Sequence, residues 1–295
     1  MEVTAKLIKE LRDITQAGMM DCKKALVECE GDIDKAIRWL QEQGISKSVK
    51  KAGRIASEGV AKVAVDGNYA VVVELNAETD FVAKNEKFQK LANNIVNGVL
   101  SNRPESLEAA LELVVDGSSL NDQIIDATAT IGEKISFRRF QLVTKNDDQV
   151  FGQYVHHDGK KAVVCILNSN DASVAKNIAM QIASMNPQYV SQAEIPQSLI
   201  QEQTEIQTDI LNNDPVLSLK PEQQKAGIIK GRVNKALQEL SLLDQDFILG
   251  SNKVSEYLKE NNASVQSFVF YTVGEGMEKR EDNFAAEVAS MTQGK

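Results

Sequence analysis

Val60-Ala61-Lys62-Val63-Ala64-Val65-Asp66-Gly67-Asn68-Tyr69-Ala70-Val71-Val72-Val73-Glu74-Leu75 is the stretch on which the fold turns. Two runs rich in β-branched residues flank Asp-Gly, the strongest short-range signal for a β-hairpin, because glycine accepts the positive φ of a tight reverse turn. A polar loop, Asn76-Ala77-Glu78-Thr79-Asp80, then leads into a helix with Phe88, Leu91, Ile95, Val96 and Val99 on its apolar side. Further helical pieces follow, and Ile135 to Val143 supplies another strand.

Downstream the same grammar returns. Residues 149–156 and 161–167 are strand-like around Asp158-Gly159, and a helix follows through Val174, Ile178, Ile182 and Met185. The matching last strand, Phe268 to Val273, arrives only after a long insertion. This element order predicts two α+β halves of like topology, the second one interrupted. The insertion reads as a helical hairpin. Leu199, Ile206 and Ile210 share a stripe, Asn212-Asn213-Asp214-Pro215 breaks it, and Pro221 starts a second helix with Ile229, Val233, Ala236 and Leu240 at seam spacing.

Upstream of the hairpin the chain reads as three short helices. Thr4 caps the first, with Leu7, Ile8, Leu11 and Ile14 as its stripe. Met19-Met20 fall in the loop before Asp21, the expected N-cap of a helix with Cys22, Ala25, Leu26 and Cys29. Gly31 ends that helix, and Asp32 opens the third, with Ile33, Ala36, Ile37 and Leu40. Residues 44–58, carrying Lys47, Lys50, Lys51 and Arg54, read as a solvated connector. At the other end Phe284, Val288 and Met291 mark an amphipathic helix set off by Gly274 and Gly276. The predicted units are a three-helix domain (1–54), a first core subdomain (55–145), a second (146–188 and 226–275), the hairpin insertion (189–225) and a C-terminal docking helix (276–295).

Composition narrows the function. The chain has 295 residues, enough for two or more packed units, and a formal net charge of −9, which argues against a surface built to hold nucleic acid. Its apolar runs are of strand length and no apolar segment follows the first charges, so neither a membrane span nor a signal peptide is expected. Cys22, Cys29 and Cys165 lack paired spacing and His156 and His157 are adjacent, too few ligands for a metal centre. A reduced, cytoplasmic protein fits.

Catalytic arrangements are missing. There is no phosphate-binding Gly-x-x-x-x-Gly-Lys motif, and Gly274-Glu275-Gly276 lacks the third glycine of a dinucleotide fingerprint. Cys165 lies mid-strand in an apolar run, the setting of an inert thiol. No catalytic residue, metal or cofactor is expected. Glu74-Leu75-Asn76-Ala77-Glu78-Thr79-Asp80-Phe81-Val82 stands out instead, because it sets a large ring beside an acid at a polar turn. Two readings of Phe81 remain open: the first core residue of a helix capped by Thr79 or Asp80, or an apolar group offered to a partner.

That segment, with Leu11-Arg12-Asp13-Ile14-Thr15-Gln16-Ala17-Gly18-Met19-Met20-Asp21-Cys22-Lys23-Lys24-Ala25-Leu26, closely resembles the bacterial elongation factor Ts family. The resemblance runs essentially end to end, through Lys51-Ala52-Gly53-Arg54, Ile131-Gly132-Glu133, Tyr154-Val155-His156, Gly231-Arg232-Val233-Asn234-Lys235 and Phe284-Ala285-Ala286-Glu287-Val288-Ala289. Gln16, Asp158 and Gln181 depart from the pattern. The resemblance implies a ubiquitin-associated-like N-terminal domain, a two-subdomain core, a protruding hairpin (coiled coil) able to serve dimer contacts, and a C-terminal docking module. It implies a guanine-nucleotide exchange factor of translation elongation that promotes GDP release from elongation factor Tu, meeting it GDP-bound and nucleotide-free, and able to form a homodimer or a 2:2 complex. Thr79, Asp80, Phe81 and Val82 would bind that partner and dislocate its Mg²⁺, while Arg12, Met19, Met20, His156 and Phe284 would make further contacts. Two other classes stay in play: an adaptor without nucleotide coupling, and a small-molecule enzyme using Glu74, Asp80 and the histidine pair.

Overall fold

The computed structural model describes residues 3–15, 17 and 19–278. Gln16, and Phe284 with the rest of the expected C-terminal helix beyond 278, lie outside the described residues. Three helices come first, α1 (Ala5–Thr15), α2 (Met19–Glu28) and α3 (Ile33–Lys51). Thr4 Oγ1 accepts the Leu7 N–H at 3.3 Å and Asp32 Oδ1 accepts the Lys35 N–H at 3.0 Å, so α1 and α3 start at the predicted caps. α2 corrects the reading: Met19 and Met20 are its first turn, not loop, and Asp21 stands within that turn. Methionine is a good helix former, and an acid in the first turn meets the positive end of the helix dipole. Leu11, Cys22, Ala25, Leu26 and Ala36 close a small core.

The solvated connector expected from residue 44 is also corrected, since α3 stays helical to Lys51. Gly44 is buried against Ala129 and Ile125, and Lys51 Nζ donates to the Thr128 carbonyl at 3.2 Å. Tertiary packing thus outweighs the roughly 1 kcal/mol that a glycine costs in a helix interior.

The hairpin forms as predicted. β1 (Glu58–Asp66) pairs with β2 (Tyr69–Ala77) antiparallel down to Asp66 opposite Tyr69, with Gly67 at φ 55° in the turn. Next come α4 (Asp80–Ala83), α5 (Glu86–Asn102), α6 (Leu107–Leu111), a two-residue ribbon of β3 (Val114–Val115) and β4 (Ser118–Ser119), and α7 (Leu120–Ile131). β5 (Ser136–Thr144) then pairs with the free side of β2, giving the order β1-β2-β5. The second half repeats this plan with β6 (Val150–His156), β7 (Lys161–Asn168), α8 (Ala172–Met185), α9 (Gln197–Asn212), α10 (Glu222–Leu240), α11 (Val254–Glu260) and β8 (Ser264–Thr272), in the order β6-β7-β8. Each third strand bulges against its central strand, at Glu74/Leu75 in one sheet and at Ile166/Leu167 in the other.

Alternation along the central strands stacks the layers. Val71, Val73, Leu75 and Ala77 of β2 face Phe88, Leu91, Ile95 and Val99 of α5. Ala70 and Val72 point the other way, onto Ala162, Val164, Val269 and Tyr271 of the second sheet. Val163, Cys165 and Leu167 of β7 meet Val174, Ile178 and Ile182 of α8. The order is helix, sheet, sheet, helix, and a central strand covered on both faces explains the unbroken apolar run of β2. Gly152 lets α8 lie close on β6, since a Cβ there would stand 2.0 Å from the Ala175 carbonyl oxygen.

The helical hairpin is α9 and α10, and the expected boundary at 225 falls inside α10, which runs unbroken to Leu240. Near its base Ile195, Val233 and Leu237 are buried together, with Leu199, Ile200, Ile229 and Leu240 packed on them. The seam therefore passes through Leu237 more than Ala236. Ile206 and Ile210 stay exposed.

Candidate functional site

β2 ends at Ala77, and the chain turns at Thr79, which has φ −129° and ψ 157°. Thr79 Oγ1 accepts the Val82 N–H at 3.4 Å, the N-cap bond that starts α4. A helix of four residues offers little more than one face to a core, and Val82 and Ala83 take it, at 9% and 5% exposure. Phe81, one position earlier, is 82% exposed. The open question about this ring is thereby resolved: Val82 is the first core residue, and Phe81 stands in solvent beside exposed Asp80.

The turn is pinned from behind. Gly132, at φ 92°, ends α7 in the left-handed conformation that glycine accepts readily, and the next residues face the turn. Glu133 Oε2 accepts the Thr79 N–H at 2.9 Å and its Oε1 pairs with Thr79 Oγ1 at 2.8 Å. Glu78 Oε1 accepts the Lys134 N–H at 2.6 Å, and the same carboxylate takes Arg54 at 3.2 Å. Lys134 Nζ in turn donates to the Ala52 and Arg54 carbonyls at 2.6 and 2.9 Å. Of the connector's basic residues, Lys51 and Arg54 are therefore engaged with the core.

The second half contributes a turn at this end of the sandwich. The His156–Gly159 turn packs on the start of β1, where Gly159 lies against Val60 and Lys160 pairs with Glu58, the residue opposite Ala77. His156 is half-buried, with Nδ1 2.9 Å from Tyr154 Oη and its ring centroid 3.9 Å from that of His157. Asp158 has φ 52°, so an L-residue occupies a left-handed position that suits glycine better. On the N-terminal helices Arg12 is exposed, Met19 and Met20 are 59% and 75% exposed, and Ile14 and Val27 are exposed too.

Two groups weighed for chemistry prove structural. Glu74, fully buried, points between the sheets. Burial opposes its charge, but the Gly274 N–H at 2.8 Å, Arg139 at 2.6 Å, Asn76 at 3.1 Å and Arg138 at 3.0 Å overcome that and hold the carboxyl below the usual carboxylate range. The β5 bulge aims successive arginines at one acceptor: Arg139 pairs with Glu74, Phe137 with Leu75, and Arg138 is the extra residue. Sequence reasoning missed this role. The signals available were a lone acid in an apolar strand and two consecutive arginines in a later one. Cys165 is fully buried, and that burial pushes its thiol up to about 12, so it remains protonated and inert. The other departure, Gln181, is buried and saturated: it donates to Gln245 Oε1 and the Asp246 carbonyl and accepts the Ile248 N–H. Among the described residues no cluster of three or more His, Cys, Asp or Glu could hold a metal, and no helix is long and apolar enough to cross a membrane.

Comparison with known proteins shows what the chain is similar to. The family model described as Elongation factor TS matches residues 78–275, from the glutamate before Thr79 to the glutamate after Gly274. Elongation factor Ts of Oenococcus oeni is 46% identical over 296 residues, covering 99% of both chains. The protein of the same name from Lacticaseibacillus casei is 44% identical over 295 residues, again covering 99% of both.

Proposed function

Because the chain belongs to the elongation factor Ts family, we propose that it is a guanine-nucleotide exchange factor for elongation factor Tu in translation elongation, acting by docking and not as a catalytic enzyme. The observation that carries the reading is Phe81, a large apolar ring 82% exposed on a turn whose backbone is tied down on its inner side. An exposed ring held this way is disposed to bury itself in another protein.

The mechanism follows from linkage. A GTPase holds GDP through its phosphate loop and a Mg²⁺ that offsets phosphate charge. A protein that binds the nucleotide-free form more tightly than the loaded form promotes release, and moving a population from 1:99 to 99:1 takes about 5.5 kcal/mol of differential binding. Burial of one Phe side chain contributes about 1.5–3 kcal/mol, so several patches must act together. In this reading Phe81 enters an apolar pocket of the partner and Asp80 disturbs the surroundings of its Mg²⁺, with Thr79 and Val82 shaping the turn. Arg12, Met19 and Met20 grip the partner from the N-terminal helices, taken as a ubiquitin-associated-like domain. His156, in the second half, meets a different part of the partner, and Phe284 belongs to the C-terminal docking module. The exposed Ile206, Ile210, Val216 and Leu219 of the hairpin suit self-association of the factor or its 2:2 complex. The site of action would be the cytoplasm.

Release of labelled GDP from purified elongation factor Tu, with and without this chain, tests the proposal. Acceleration at substoichiometric amounts supports exchange. Binding without acceleration would leave an adaptor, and the absence of both would reject this partner and leave the enzyme reading open.

A further inference from the structure

We infer that Glu133 is a positioning residue for the exchange turn: its carboxylate, bonded to both the N–H and the hydroxyl of Thr79, sets the orientation in which Asp80 and Phe81 meet the partner. The inference rests on the exchange reading above and goes beyond it, because Glu133 need touch neither nucleotide nor partner.

Several observations converge on this residue. Thr79 is the hinge between the last residues of β2 and the helix that carries the ring, and it is the N-cap of α4. Its N–H and hydroxyl are both engaged by one carboxylate, at 2.9 and 2.8 Å, from a residue 54 positions away. Two anchor points fix a direction where one would permit rotation. α4 is too short to hold itself, since isolated helices need roughly 12–15 residues before they are even marginal in water. Its single apolar face, Val82 and Ala83, fixes depth in the core. Rotation about the strand-to-helix junction is left to Thr79. A turn already ordered before binding avoids the entropic cost of ordering at the moment of association. Glu78, next to the hinge, is held by Lys134 and Arg54, so the residues flanking Glu133 and Thr79 are joined a second time.

The geometry makes a specific demand on substitutions. Glutamine keeps the length and can satisfy both bonds, its carbonyl accepting the Thr79 N–H and its amide donating to Thr79 Oγ1, which has two lone pairs. Aspartate keeps the charge but is one methylene shorter and cannot span both atoms. A positioning role therefore ranks Glu133→Gln near the parent and Glu133→Asp with Glu133→Ala. A direct electrostatic role toward the partner or its Mg²⁺ ranks them in the opposite order.

The experiment measures GDP release from elongation factor Tu against factor concentration for the parent, Phe81→Ala, and the Gln, Asp and Ala variants at Glu133. Thermal melts and amide hydrogen exchange at Thr79 and Val82 accompany each arm. We expect the Ala and Asp variants to lose about tenfold or more in exchange efficiency, the equivalent of about 1.4 kcal/mol. Their melting temperature should stay near that of the parent, with faster amide exchange confined to residues 78–83, and Gln should restore both rate and protection. If the parent releases GDP and Phe81→Ala does not, yet Glu133→Ala equals the parent, the positioning role is wrong and the exchange reading stands. Rescue by Asp where Gln fails would overturn the positioning role in the same way. Should Glu133→Ala fail to fold, the Gln and Asp ranking decides alone. A parent that does not release GDP overturns both.

Discussion

Phe81 and Glu74 sit seven residues apart in one motif and do opposite work. Phe81 is 82% exposed, so the free fold gains almost nothing from the ring, and Phe81→Ala should change unfolding free energy by less than about 0.5 kcal/mol. Exchange should fall by roughly tenfold or more, because the partner loses about 1.5–3 kcal/mol of ring burial. A melting curve and a GDP-release assay on the same sample check both halves, and a drop of several degrees would make the ring part of the core. Glu74 predicts the reverse. Its carboxyl is held below the usual range despite burial, by the Gly274 N–H, Arg139, Asn76 and Arg138. Such a group contributes stability that is fully present above its unfolded pKa of about 4.3 and is lost as pH falls through the lower folded value. Glu74→Gln should cost about 3 kcal/mol near neutral pH, since it leaves two arginines facing a neutral amide, and the gap from the parent should narrow as pH drops below about 4. Denaturant melts of both proteins at several pH values measure it, and a gap independent of pH would remove the ionised carboxylate from the account.

At the scale of elements, legibility depended on whether a segment's structure is set by its own residues. The β1–β2 hairpin was readable because Asp66-Gly67 and β-branched runs specify it locally. So was α5, whose Phe88, Leu91, Ile95 and Val99 keep strict helical spacing and are buried. The continuation of α3 past Gly44 was not, because glycine and four basic residues read as loop while Lys51 finds its partner at Thr128, in a helix far along the chain. The turn at Thr79 was half-legible: its cap could be named, but whether Phe81 or Val82 faces the core is a difference of one position about a helix axis. The packing of α4 against β1 and β2 fixes it. The register shift in α2 bears on the proposed interface. With Met19 and Met20 in the first helical turn at 59% and 75% exposure, two adjacent apolar side chains stand open to solvent at the start of α2. A patch of flexible thioethers adapts to a partner. Met19→Ala with Met20→Ala, and separately Arg12→Ala, should weaken complex formation with elongation factor Tu by roughly tenfold while shifting stability by less than about 0.5 kcal/mol. Calorimetric titration beside a thermal melt checks this, and unchanged affinity would take the patch out of the interface.

The whole molecule separates a four-layer core from a hairpin that leaves it between α8 and α11. Both ends of the hairpin return to the same place, since the Gln188 and Tyr189 N–H groups bond the Leu240 carbonyl and the Leu242 N–H bonds the Tyr189 carbonyl. Its root is a real core, with Ile195, Val233 and Leu237 at 6–8% exposure, and Gln245 ties the root to the subdomain through the Met185 and Glu239 carbonyls. Beyond Ile200 and Ile229 the character changes: Leu211 is buried, but Ile206, Ile210, Val216 and Leu219 are exposed, and Gly227 meets nothing around it. Gly227 costs its helix about 1 kcal/mol relative to alanine and most of the distal apolar side chains find no cover, so the distal hairpin should open before the rest of the molecule. Replacing residues 201–228 with a short Gly/Ser linker should therefore leave the core melting transition in place, because closing a short loop between ends that already lie together costs little entropy. GDP release should persist, since Thr79 to Val82 and the residues that pin them belong to the other half. What should change is association: sedimentation should show a smaller species wherever the parent forms a dimer. A truncated chain that keeps its melting transition but no longer releases GDP would place the hairpin inside the exchange machinery. Phe81 and its turn would then be insufficient, and the differential binding of about 5.5 kcal/mol would have to be shared with contacts made far from them.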